Sequence, residues 1–166
     1  MKFAIISDSH DNWPNILTAL KFIEKRGIDL IIHCGDISSG EVLRQTGKNF
    51  KGKIHAVLGN VSSSLETMQK KAKSVGSITI YEETGELKID NKKIAWNHYP
   101  DQAKELAESG KYDLVFYGHD HKPWEKQLGK TTLLNPGTLA GLFNKPSFAI
   151  YDTKTDRAEL VLLEKL

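Results

Sequence analysis

Seven side chains in this sequence have the chemistry to bind metal. They fall in five groups along the chain: Asp8-x-His10, Gly35-Asp36, Gly59-Asn60, His98, and Gly118-His119-x-His121. Two carboxylates, four imidazoles and one amide oxygen form an oxygen and nitrogen set without thiolate. Such a set suits manganese, iron, nickel, cobalt or zinc as a reactive centre and does not resemble a thiolate-rich structural zinc site. Seven ligands exceed the needs of one tetrahedral ion and match two ions if one carboxylate bridges them. Each group alone has a plainer reading. Asp8 could cap a following helix, the Gly-Asp and Gly-Asn pairs could be turns, and His98 could be a hydrogen-bonded core histidine. The Gly-His-x-His run is the stronger sign of a metal, and the groups taken together are more specific than any one.

The elements that must position these residues can be read from apolar periodicity. Residues 3–6, 28–33 and 54–58 are short apolar runs, as expected for strands buried on both faces. Between them lie helical patterns. One starts near Pro14, with Asp11 and Asn12 as candidate caps, and ends at Gly27; the second spans 41–49. A third covers 65–75. Strands alternating with helices predict right-handed crossovers and a largely parallel sheet. The second half reads as strands at 77–81, 85–90, 93–97, 114–117, 124–128, 131–134, 148–151 and 158–163, with one helix at 103–109. Turns are expected at Asp90-Asn91, at Gly129-Lys130 and over 153–156. These strands suggest a second, mixed sheet packed on the first, with helices outside both. No linker, repeat or low-complexity segment is evident, so one domain is expected over residues 1–166. Nearly every candidate ligand falls at the end of a predicted strand, where α/β sheets bind ligands.

Composition narrows the function classes. With 23 basic and 21 acidic residues the net charge is +2, which gives no strong nucleic-acid signal. The basic runs at 48–53 and 70–73 read as solvated faces. The N-terminal apolar run is too short for a signal peptide, and no stretch approaches the ~18 apolar residues of a membrane span. The one cysteine, Cys34, allows no internal disulfide and suits a reducing compartment. A cytoplasmic protein without a membrane partner is expected.

The ordered groups resemble the calcineurin-like metallophosphoesterase superfamily, and the length resembles its small single-domain phosphodiesterase branch in bacteria and archaea. The resemblance implies an α/β fold: a four-layer α/β/β/α sandwich of two mixed sheets with a dimetal site at the strand ends. It implies two divalent transition-metal ions, manganese first, with nickel, iron or zinc as the other options. Asp8, His10, Asp36 and His121 would hold the first ion; Asp36, Asn60, His98 and His119 would hold the second, with Asp36 as the bridge. The implied reaction is hydrolysis of a phosphate ester, preferably a diester, by a hydroxide shared between the ions. Asp36 and Asn60 would stand nearest the chemistry, the Asn60 amide helping to hold the phosphate. The alternative is a non-catalytic scaffold on the same fold, resembling the retromer subunit. A scaffold is expected to lose ligands, and this chain has a full candidate set.

The sequence departs from the family pattern in two places. Many members carry a histidine or acidic residue at or just beyond the position after Gly-Asn; here the run is Val61-Ser62-Ser63-Ser64, and Val61 can neither give nor take a proton. After His98 comes Tyr99-Pro100 in place of glycine, so Tyr99 would either shape substrate choice or pack. Other features read as decoys. The Gly47 to Lys53 run has phosphate-loop spacing but is followed by Ile54 and precedes a strand. Asn60-Val61-Ser62 is a glycosylation sequon without a secretory context. Cys34 is expected to be a buried filler. His33 and His55 have no motif around them. Trp13, Trp96 and Trp124 are expected to pack, with cleft lining as the alternative for Trp13 and Trp124. A homodimer would protect the sheet edges of so small a domain.

Overall fold

The computed structural model describes residues 1–166. The chain begins with three parallel strands joined by helices: β1 (Lys2–Ile6), α1 (Trp13–Lys25), β2 (Leu30–His33), α2 (Gly40–Lys48) and β3 (Lys53–Val57). α3 (Leu65–Lys73) and β4 (Ile78–Tyr81) add one more crossover. Then come β5 (Thr84–Ile89), β6 (Lys92–Asn97), α4 (Pro100–Glu108), β7 (Leu114–Phe116), β8 (Trp124–Leu128), β9 (Thr131–Asn135), β10 (Ser147–Asp152) and β11 (Arg157–Leu162).

Local chemistry explains the helix starts. The side chain of Asn12 accepts from the Asn15 N–H at 3.3 Å and Ser39 Oγ from the Val42 N–H at 3.2 Å, satisfying amide groups that the first helical turn leaves unpaired. Asp11, the other expected cap, instead binds the amides of Ser38 and Ser39 at 3.1 and 3.2 Å, tying the loop after β1 to the loop after β2. α4 starts three residues earlier than the sequence pattern suggests, because Pro100 takes its first position, where a missing N–H costs nothing.

The strands form two sheets, ordered β11-β10-β1-β2-β3-β4 and β5-β6-β7-β9-β8. The expected mixed second sheet is present, but β4, β10 and β11 belong to the first sheet. β4 continues the parallel series beside β3, and β10 runs antiparallel to β1 on its other side. The reason is burial. Phe148, Ala149, Ile150 and Tyr151 are all buried, and a strand apolar on both faces needs a place inside a sheet rather than at its edge.

Strand alternation sorts side chains into three cores. Ala4, Ile6, Ile31, Ile54 and Ala56 face α1, α2 and α3. Phe3, Ile5, Ile32 and Val57 face Trp96, Leu114, Phe116 and Leu134 across the gap between the sheets. Ala95, Val115 and Leu133 face Ala103 and Ala107 of α4. Three cores between four layers make the α/β/β/α sandwich. Trp96, in the core between the sheets, is fully buried. Trp13 is half-buried against the helix-side core and Trp124 is exposed on β8. The Gly47 to Lys53 run ends α2 and enters β3, the reverse of a phosphate loop's strand-to-helix order.

Candidate metal centre

The carboxyl ends of β1, β2 and β3 meet those of β6 and β7, and their loops bring all seven candidate ligands together in two adjoining groups. In the first, His10 Nε2 lies 3.2 Å from His121 Nε2. His121 Nε2 lies 3.1 Å from Asp8 Oδ1, and His10 Nε2 3.6 Å from Asp36 Oδ2. One ligand atom from each of these four residues lies within 4.8 Å of the others. In the second group, Asn60 Oδ1 lies 3.1 Å from His98 Nε2 and 3.2 Å from His119 Nδ1. His98 Nε2 lies 3.4 Å from Asp36 Oδ1. The two oxygens of Asp36 thus face different groups.

The proton positions make this crowding informative. His98 Nδ1 is 2.8 Å from the Cys34 carbonyl, and His121 Nδ1 is 3.2 Å from the Leu142 carbonyl. A carbonyl only accepts, so each ring carries its hydrogen on Nδ1 and turns an Nε2 lone pair inward. Those lone pairs face carboxylate and amide oxygens. Lone pairs crowded against oxygens in this way are what a cation draws together, and backbone acceptors behind the imidazoles are the usual outer support of a metal ligand. The donor set therefore fits divalent cations.

Burial adds to this. Asp8 is fully buried and Asp36 nearly so. Burial, helped by the charge of Asp36, pushes the Asp8 carboxyl up to about 7, because a low-dielectric surround penalises the charged form. Burial also lowers the pKa of His10 and of His98, which favours the neutral form that a metal ligand needs. Asn60 and His119 are exposed, so the second group faces solvent.

A sequence profile of the calcineurin-like phosphoesterase superfamily domain matches residues 1–156. The chain belongs to the calcineurin-like phosphoesterase superfamily. It is 30% identical to phosphodiesterase MJ0936 of Methanocaldococcus jannaschii, over 99% of this chain and 100% of that protein. The solved structure of an archaeal phosphodiesterase matches with a TM-score of 0.90 at 28% identity, covering 98% of this chain and 99% of the other. Vps29 of Entamoeba histolytica, solved with zinc, matches with a TM-score of 0.71 at 20% identity over 98% and 99% of the two chains; that likeness concerns the fold alone. The chain is a hydrolytic enzyme of the superfamily.

The calcineurin-like centre is held in backbone conformations that few residues tolerate. Asp8, His10, Asp36, His119 and His121 all have positive φ, between 40° and 69°. Asp and His enter this region more readily than most residues, and such strain gathers where function requires a particular aim. Two glycines make room. A Cβ on Gly118 would stand 2.0 Å from Ser7 Oγ and 2.7 Å from Asp8 Oδ2, and one on Gly59 would stand 2.0 Å from Asp36 Oδ1.

His33, assigned no ligand role from sequence, lies beneath the centre. It accepts from the Gly35 N–H at 3.2 Å and so donates from Nε2 to Ser9 Oγ at 3.1 Å. Burial lowers its pKa to about 3, so it stays neutral and links the loops after β1 and β2. Cys34 is fully buried, and burial pushes its thiol pKa up, as expected of an inert filler. His55 pairs with the Tyr81 hydroxyl at 3.0 Å, away from the ligand groups. Tyr99 is exposed, its ring 5.0 Å from that of His98 and 5.3 Å from that of His119, which places it on the rim of the second group. Leu142 was not singled out in the sequence, because a backbone carbonyl has no residue-type signature.

Proposed function

We propose that the chain hydrolyses phosphate diesters with two divalent transition-metal ions, manganese first among them. Asp8, His10, Asp36 and His121 hold one, and Asp36, Asn60, His98 and His119 hold the other. The observation that carries this reading is Asp36, whose two oxygens face the two separate groups of candidate ligands. When bound, the cations supply Lewis acidity: they draw charge from phosphoryl oxygens and acidify water. The Cys34 and Leu142 carbonyls fix the two imidazoles in their ligating form. The Asn60 amide has its Oδ1 among the ligands and its Nδ2 free to donate to a phosphoryl oxygen as negative charge builds there. The likeness to phosphodiesterase MJ0936 supports a diester substrate.

Residue 61 contributes no acid. The Val61 side chain is apolar, and its amide donates to Asp36 Oδ1 at 3.2 Å, so that position orients the bridging carboxylate. The leaving group therefore departs without a proton from residue 61, and esters of acidic alcohols should react fastest. No helix is long and apolar enough to cross a membrane, and the lone buried Cys34 supports a reducing, cytoplasmic setting.

The test is hydrolysis of bis(p-nitrophenyl) phosphate by the purified chain with added manganese. Turnover is expected in the wild type, and Asp36→Asn should bring it to background while the circular dichroism spectrum stays unchanged. No turnover with any divalent metal, or equal turnover in Asp36→Asn, would favour the scaffold reading.

A further inference from the structure

Phe143 is the most exposed large apolar residue of the chain, 93% accessible. It also has a left-handed backbone, φ 64°, a conformation that a bulky residue adopts only where the surroundings impose it. Its location explains why it matters. The ring centroid lies 5.4 Å from that of His121, so an unsheltered aromatic stands beside the first ligand group.

The segment is not a loose loop that strayed there. At its base the Leu139 N–H donates to the Ser7 carbonyl at 2.9 Å and the Ala140 N–H to the Asp8 carbonyl at 3.0 Å. Thr138 Oγ1 donates to the same Asp8 carbonyl at 3.1 Å. At its tip the Leu142 carbonyl accepts from His121. The backbone is thus tied to two candidate ligands, and the left-handed turn directly after Leu142 aims the next side chain outward. On the opposite side of the centre Tyr99, 37% accessible, stands beside His98 and His119. An aromatic ring therefore borders each of the two ligand groups.

We infer that Phe143 is a substrate-binding residue that stacks on a planar aromatic substituent of the phosphate ester, so that aryl or nucleoside esters are preferred to simple alkyl ones. The inference rests on the proposed phosphoesterase reading and specifies its substrate class. An exposed aromatic gains when a second flat ring covers it, and the offset or tilted arrangements such pairs favour are open to a group bound at the metals. Stacking of a base on an aromatic side chain is sequence-tolerant, which suits an enzyme that chooses a chemical class rather than one compound.

The test reads binding and needs no turnover. Metal-loaded protein is titrated in a calorimeter with phenylphosphonate against methylphosphonate, and with adenosine 5′-monophosphate against ribose 5-phosphate. At least one aromatic member should bind about tenfold more tightly than its partner. The first pair reports an aryl group at phosphorus and the second a nucleobase. Phe143→Ala should remove the gap, and Phe143→Trp should keep it. A gap equal in wild type and Phe143→Ala, or no gap in either pair, overturns the inference. So does a result in which Phe143→Ala only turns a dimer into a monomer by sedimentation, since the ring would then belong to an interface between copies. Probes that bind as predicted to a protein that hydrolyses no diester would leave Phe143 a ligand contact and defeat the reaction proposed above.

Discussion

A neutral imidazole has one hydrogen and one lone pair, and the partner of the hydrogen decides where the lone pair points. At His98 and His121 that partner is a backbone carbonyl, and the lone pairs turn toward Asp36 and Asp8. Asp8 is the ligand most affected when no cation is bound. With its carboxyl pushed up to about 7 by burial, it holds a proton below that pH which a metal must displace. His10 and His98, lowered by burial, hold a proton less readily than a free imidazole. Metal affinity should therefore fall as the pH drops below about 7, where Asp8 takes up a proton that a metal must displace. Calorimetric manganese titrations at several pH values would check this, and a flat profile would contradict it. At this scale the seven candidate ligands that the fold brings together were legible in the sequence, because carboxylate and imidazole are rare residue types to find together at strand ends. The supports were not legible: the Leu142 and Cys34 carbonyls belong to the backbone, which every residue has.

At the scale of elements, a ligand's position depends on how a strand ends. β7 stops at Phe116, and its continuation through Gly118 passes so close to Asp8 that the His119 N–H donates to both Asp8 oxygens, at 3.2 and 3.1 Å. Gly118→Ala would drive a methyl group into Ser7 and Asp8. That substitution should cost about 1–3 kcal/mol of stability, as overpacking usually does, and lower metal affinity by about 10–100-fold through the displaced carboxylate. Denaturant unfolding and manganese titration of the variant would measure both; wild-type values in both would show that the strand end is not a constraint. The elements themselves were mostly legible, since burial on both faces of β1, β2 and β3 leaves apolar runs and three helices start at ordinary Asn or Ser caps. Strand partners were harder to read. β10 is the next-to-last strand, and no local pattern names β1 as its neighbour; its apolar run says that it is central, and only the completed sheet says beside which strand.

For the whole molecule, the sandwich explains why two sheets are needed. Asp8, His10, Asp36 and Asn60 come from the first sheet, whereas His98, His119 and His121 come from the second. Each ligand group draws on both, so the core between the sheets, with Phe3, Trp96 and Phe116 fully buried, fixes the distance across which a cation must reach. Small shifts of one sheet against the other would open both groups at once, and close packing resists such shifts. The overall layering follows from apolar periodicity, but the meeting of the two sets of strand ends is a property of the assembled fold. The central claim is that these ends hold two cations around Asp36. Equilibrium dialysis of the purified chain against manganese, followed by mass-spectrometric metal counting, tests it most directly. At saturation the wild type should hold two ions per chain and a folded His98→Ala variant one. One ion or none in the wild type, or two still in the variant, would contradict it.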